Sequence, residues 1–142
     1  MRTVQSSPIL KLALLADAVV SGSIAAAQLL FAAPMAGLLG LPKPLLLESG
    51  LFLVFYVALL LLMASRGRLW SALVGVVVVG NIGWALACIA LALSGAVAPT
   101  GWGLAYLALH AFGVLGFAAL EWIGLRRSAD AAEFRAQTPA TR

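Results

Sequence analysis

Charge is what this chain has least of. Only 10% of its 142 residues are charged, 63% are hydrophobic, and the mean hydropathy is +1.08. A globular chain carries about 25% charged and about 45–50% apolar residues. Too little polar surface remains to cover a fold in water, so the solvent of this chain is largely lipid. Cysteine is nearly absent as well. The single Cys88 excludes an intramolecular disulfide, a CxxC redox pair and a thiolate metal cluster within one chain. His110 is the only histidine. A haem with two histidine ligands would need a second copy of the chain, and a metal would find one His, one Cys and scattered carboxylates. No cofactor and no metal is expected. Phosphate loops, HExxH and GxSxG are missing, and no Ser-His-Asp set has workable spacing. Gly101-Trp102-Gly103 starts a helix at a membrane boundary and is not a nucleotide loop. The chain is not expected to be an enzyme.

What is present is apolar length. Four stretches, 12–33, 45–64, 69–93 and 102–125, reach the roughly 20 residues that cross a bilayer as a helix. The first is longer than a signal-peptide core of about 7–15 residues, contains Asp17 and is followed by no A-x-A site, so it reads as a retained helix. Turn chemistry separates the stretches: Pro34, Gly37, Gly40, Pro42 and Pro44, then Ser65-Arg66-Gly67-Arg68 as a tight hairpin, then 94–101 with Pro99. Met35, Leu38, Leu39 and Leu41 predict a short turn lying in the membrane interface.

The net charge of +4 and pI near 10.0 do not indicate nucleic acid. A nucleic-acid footprint needs basic residues clustered on one wet face, whereas these flank hydrophobic spans. Arg2, Lys11, Arg66, Arg68, Arg126, Arg127, Arg135 and Arg142 fall on one side of a four-span arrangement and only Lys43 on the other. By the positive-inside rule that side is cytoplasmic. Trp70 and Trp122 fall near the inner boundary and Trp102 near the outer one. The expected fold is therefore all-α: an up-down four-helix transmembrane bundle forming a single membrane domain over 1–142. Both termini are cytoplasmic, and the chain sits in a bacterial inner (plasma) membrane. The tail from Arg126 is expected to prolong the last helix by a turn or two and fray near Pro139.

Ionisable and amide side chains inside lipid are expensive, roughly 2.5–3.5 kcal/mol for a charge at the bilayer centre, and are the first place to look for function. Counted at about 1.5 Å per residue, Asp17 lies about 9 Å inside Lys11 and Glu121 about 7–8 Å inside Arg126, forming an inner layer. Gln28, Asn81 and His110 fall deeper. Asp17, Ser21, Ile24 and Gln28 share one helix stripe. His110, Val114, Phe117 and Glu121 share another. Trp70, Val74, Val77, Asn81, Trp84 and Cys88 share a third. Each stripe is expected to face inward, because lipid would leave its polar groups unsatisfied. Two readings stay open for each layer. The inner carboxylates form a proton or cation site, or Glu121 pairs with Arg126, Arg127 or Arg68 and Asp17 with a nearby hydroxyl or arginine. The deeper residues, with Trp84, line a ligand cavity, or they hydrogen-bond between helices and fix the bundle. Cys88 reads as a small apolar filler. Gly22/Ala26 and Ser23/Ala27 would permit close helix approach.

In Asp17 followed by Ser21-Gly22, Asn81-x-x-Trp84, Ala98-Pro99-Thr100 and Gly124-Leu125-Arg126-Arg127, the chain resembles the small uncharacterised four-helix inner-membrane proteins common in proteobacteria. The resemblance covers nearly the whole chain and implies a fold but no activity. Small multidrug transporters carry glutamate where this chain has Asp17, and the first-helix pattern of DoxX-type proteins is missing. The sequence favours a non-enzymatic membrane component acting through helix packing, as a homo-oligomer or accessory subunit of a membrane complex, with the lipid bilayer as its surroundings. The alternative is a small proton- or cation-coupled transporter or intramembrane ligand-binding protein. A dry, fully paired interior would mark the first, and a water-filled cavity joining the two polar layers would mark transport.

Overall fold

The computed structural model describes residues 3–137, with side chains through Ala129. Pro139, the expected end of the last helix, lies outside them. In chain order the elements are β1 (Thr3–Gln5), α1 (Pro8–Leu30), α2 (Ala32–Leu39), α3 (Lys43–Ser65), β2 (Arg68–Trp70), α4 (Ser71–Leu93) and α5 (Gly101–Gln137). All but α2 of these helices are long and apolar enough to cross a membrane.

Ser7 starts α1. Its backbone is extended, its hydroxyl accepts the Leu10 N–H at 3.3 Å, and Pro8 occupies the first turn, where a missing N–H costs nothing. Ser7 also ties α1 to α5. Its hydroxyl donates to the Gly124 carbonyl and its N–H donates to Ser128 Oγ, both at 3.0 Å. Gly124 makes this approach possible, since a Cβ there would stand 2.7 Å from Leu10 Cα. Beside this junction β1 and β2 pair antiparallel, with Val4 opposite Leu69 and both buried. The expected hairpin at 65–68 thus contributes a strand. Two three-residue strands are too short to show alternation in sequence, so only the tertiary pairing reveals them. Segments 3–7, 66–70 and 124–128 gather at one end of the bundle.

Two boundaries differ from the sequence expectation for identifiable reasons. The first helix stops at Leu30 and not at 33. Pro34 cannot donate to the Leu30 carbonyl and its ring crowds that carbonyl, so the chain breaks at Phe31 and restarts as α2. The expected interface turn is therefore a two-turn helix, closed by Gly40 at φ 65° with its N–H on the Ala36 carbonyl at 3.0 Å. A Cβ on Gly40 would also come within 2.5 Å of the Ala98 carbonyl oxygen. Thr100 locks α2 to α5. Its hydroxyl donates to the Leu38 carbonyl at 2.7 Å and its N–H to the Leu39 carbonyl at 2.9 Å. The same hydroxyl accepts the Gly103 N–H at 3.1 Å, capping α5. The second difference is in α5, which runs to Gln137, about three turns past Arg126.

α1 packs on α3, α4 packs on α5, and α1 against α5 joins the two pairs. α3 and α4 follow one another in sequence, yet their backbones stay further apart and they meet through side chains such as Phe52 and Trp84. Two apolar clusters fill the interior. One, toward the β1–β2 end, includes Leu10, Leu14, Leu60, Met63 and Val74; the other, toward α2, includes Leu39, Leu46, Ala85, Cys88 and Leu107. The functional candidates lie between them. Close approach does not come from the Gly22/Ala26 pairing. A Cβ on Gly22 would make only ordinary contact with Val57, 3.8 Å away.

Candidate functional site

One side chain from each long helix meets in the layer between the two apolar clusters. Asp17 (α1) and Glu121 (α5) are both fully buried, and Asn81 (α4) nearly so. The Asn81 amide nitrogen donates to Asp17 Oδ2 at 3.1 Å and to Glu121 Oε2 at 3.2 Å. Ser21 donates to Asp17 Oδ1 at 2.8 Å. Tyr56 of α3 completes the set, its hydroxyl 2.7 Å from Asp17 Oδ2 and 3.0 Å from Asn81 Oδ1.

The arrangement has a proton inventory. Asp17 and Glu121 are both fully buried and accept from the same amide nitrogen, and like charges held so close disfavour ionising both. A proton on one of the pair would relieve that repulsion. Tyr56 has one hydroxyl hydrogen facing two oxygens. A proton on Asp17 lets the carboxyl donate to Tyr56 while Tyr56 donates to Asn81. Glu121 Oε1 finds no hydrogen-bond partner in the protein. The layer therefore has both the acceptors and the hydroxyl needed to accommodate a proton.

The expected arginine partners are elsewhere. Arg126 lies over the Trp122 ring, 5.1 Å from its centroid, Arg68 reaches Thr3 Oγ1 at 3.4 Å, and Arg127 is exposed. Asp17 does pair with hydroxyls, as the second reading had it. The layering also changes. Asn81 belongs with the carboxyls and not with Gln28 and His110. Depth counted from Lys11 and Arg126 is misleading, because α1 begins at Pro8 and α5 continues past Arg126. Counted from the helix starts, Asp17 is nine residues into α1 and Asn81 ten into α4, nearly level.

Gln28 and His110 form a second polar group around Tyr106. Gln28 Nε2 donates to the Tyr106 hydroxyl at 2.8 Å. The His110 ring sits 4.2 Å from the Tyr106 ring, centroid to centroid, and its Nδ1 is 3.0 Å from the Tyr106 carbonyl. Gln28 Oε1 and His110 Nε2 are buried without partners. Trp84 stacks on Phe52 at 5.5 Å and 9° between planes, bridging the loose seam between α4 and α3.

A cavity of about 590 Å³ lies along this seam. Ser21, Tyr56 and Asn81 reach it from the carboxyl layer and His110 from the second group; the rest of its wall is apolar apart from Trp84, and includes Gly80, Gly113 and Gly116. A second cavity of about 270 Å³ touches Gln28, Cys88, Tyr106 and His110. Trp84 and His110 border both. Among the described residues no three His, Cys, Asp or Glu side chains come together as a metal-holding group.

Tyr56 and Tyr106 are the residues that sequence reasoning missed. A signal for Tyr56 exists: between Ser49 and Ser65 it is the one polar-tipped side chain in an apolar helix. A hydroxyl at that depth must find a partner. Comparison with protein-family models, curated proteins and solved structures finds no match to this chain.

Proposed function

We propose that the chain is a multi-pass inner-membrane protein that binds a lipophilic small molecule between its helices, with Asp17 and Glu121 as a proton-holding pair behind the Ser21, Tyr56 and Asn81 wall of the binding site. The observation that carries this reading is the 590 Å³ cavity touching both polar groups. Ligand sites fall at about 300–1,000 Å³ and are mostly apolar with a few placed polar groups, and this cavity matches on both counts. Its apolar wall argues against a water-filled ion path and for a ligand drawn from the bilayer. The poorly packed α3–α4 seam gives such a ligand a lateral entrance. In this reading the four spans alternate in direction, the end that gathers segments 3–7, 66–70 and 124–128 is cytoplasmic, and no covalent chemistry is performed.

Native mass spectrometry of the protein from nanodiscs tests the proposal. One lipophilic molecule per chain is expected. Gly113→Leu should abolish it, because Gly113 lines the cavity and a Cβ there meets nothing within 4 Å. A wild-type chain that carries nothing and takes up no added lipophile would contradict the reading. The same seam supports a second reading, in which a helix of another subunit or of a second copy fills it and the protein is an accessory packing component. A mass equal to a defined oligomer, broken by Gly113→Leu, would favour that alternative.

A further inference from the structure

The smaller cavity has a more specific chemistry than the larger one. Gln28 and His110 are more than nine-tenths buried, both border it, and each presents one atom without a partner. The identity of those atoms can be worked out. Gln28 uses its amide nitrogen on Tyr106, so the orphan is the carbonyl Oε1, an acceptor. His110 Nδ1 faces a backbone carbonyl, which only accepts, so Nδ1 carries the hydrogen. In the uncharged ring Nε2 is then a lone-pair acceptor. Two buried acceptors belong to residues bordering one cavity, and neither has a protein donor within hydrogen-bond reach. A buried polar group left unmatched costs about 1–3 kcal/mol, so a ligand that donates hydrogen bonds here is favoured.

We infer that the cavity beside Gln28 and His110 recognises the hydroxyl-bearing ring of an uncharged phenolic lipophile. This inference rests on the binding function proposed above and names the ligand class. No Asp or Glu borders the small cavity, so a cationic donor would lie there uncompensated, which buried charges do not tolerate. The walls include Trp84 and Tyr106, flat surfaces suited to a ring. An apolar cavity of about 150 Å³ accepts benzene, and about 270 Å³ accommodates a substituted single ring. A ring hydroxyl supplies the donor that these acceptors lack. The apolar remainder of the molecule passes Trp84 and His110 into the larger cavity, which both residues also border.

The test uses 4-propylphenol and 4-propylanisole, which differ in whether the ring oxygen carries a hydrogen or a methyl group. Because His110 is the only histidine, histidine-labelled protein in nanodiscs gives one reporter for Nε2 by nitrogen NMR. The phenol is expected to shift that resonance and to bind about tenfold tighter than the anisole, the equivalent of one buried acceptor satisfied. Gln28→Met and His110→Phe should each shrink the preference for the phenol over the anisole. Equal binding of the two probes with an unmoved Nε2 signal would overturn the inference and leave the larger cavity's function standing. An Nε2 signal already hydrogen-bonded before addition and unchanged by the phenol would assign the donor to a trapped water, and would overturn it equally. Failure of both probes to bind, together with a wild-type chain that carries no molecule by mass, would overturn both readings.

Discussion

Asn81 holds Asp17 and Glu121 with a single amide nitrogen, 3.1 Å from one carboxyl and 3.2 Å from the other. One neutral donor from α4 thereby joins α1 to α5, the contact that unites the two helix pairs. Removing it leaves two buried carboxyls short of a donor.

Asn81→Leu should therefore destabilise the bundle by about 1–3 kcal/mol, measured by unfolding in mixed micelles. The proper comparison is Leu62→Ala, because Leu62 is 54% exposed on the outer face of α3. Its cost should stay within about 0.5 kcal/mol. Equal effects of the two changes would show that the network contributes nothing to stability.

How much of this was legible in the sequence varies along the chain. The four spans were, because apolar length needs no tertiary information. The stripes of α1, α4 and α5 were also legible, since Asp17, Asn81 and Glu121 stand out against apolar neighbours and turn inward as expected; only Trp70, assigned to the third stripe, departs, lying in β2 and exposed. α3 was not. Leu59 to Leu62 are identical in type, yet Leu60 is fully buried in the core while Leu61 and Leu62 face outward. Where every residue is apolar there is no periodicity to mark the inner face, and only Tyr56 breaks the run. The β1–β2 pairing and the cavity depend on how helices meet, which spacing within one helix does not encode.

The α1–α5 junction gives a second stability prediction. Gly124→Ala places a methyl against the Leu10 backbone and should cost about 1–3 kcal/mol by overpacking. Gly116→Ala meets nothing within 4 Å and should be neutral or slightly stabilising, since alanine favours helix. Thermal melts of the two variants beside wild type check both. A neutral Gly124→Ala would mean that α1 does not approach α5 this closely.

Thr100 serves two helices with one side chain. Thr100→Val keeps the shape but removes both the α5 cap and the bond to Leu38. A loss of about 1 kcal/mol is expected, with faster amide exchange at 101–104 and at the end of α2. Unchanged exchange there would remove the capping role.

Orientation rests on the basic residues. Cysteines introduced at Gly67 and Lys43 in a Cys88→Ala background should react from opposite faces, the first only with a reagent that reaches the cytoplasm. Labelling of both from the same side would contradict the four-span arrangement.

The central claim is that the carboxyl pair holds a proton and belongs to the same site as the cavity. Infrared spectroscopy of the protein in lipid observes this directly, through the carbonyl stretch of a protonated carboxyl. A buried protonated-carboxyl band is expected at neutral pH, lost in Asp17→Asn or Glu121→Gln. It should shift when Gly113→Leu fills the cavity, because Tyr56 and Asn81 touch both the pair and the cavity wall. Absence of any protonated-carboxyl band at neutral pH, or a band indifferent to filling the cavity, would contradict the account.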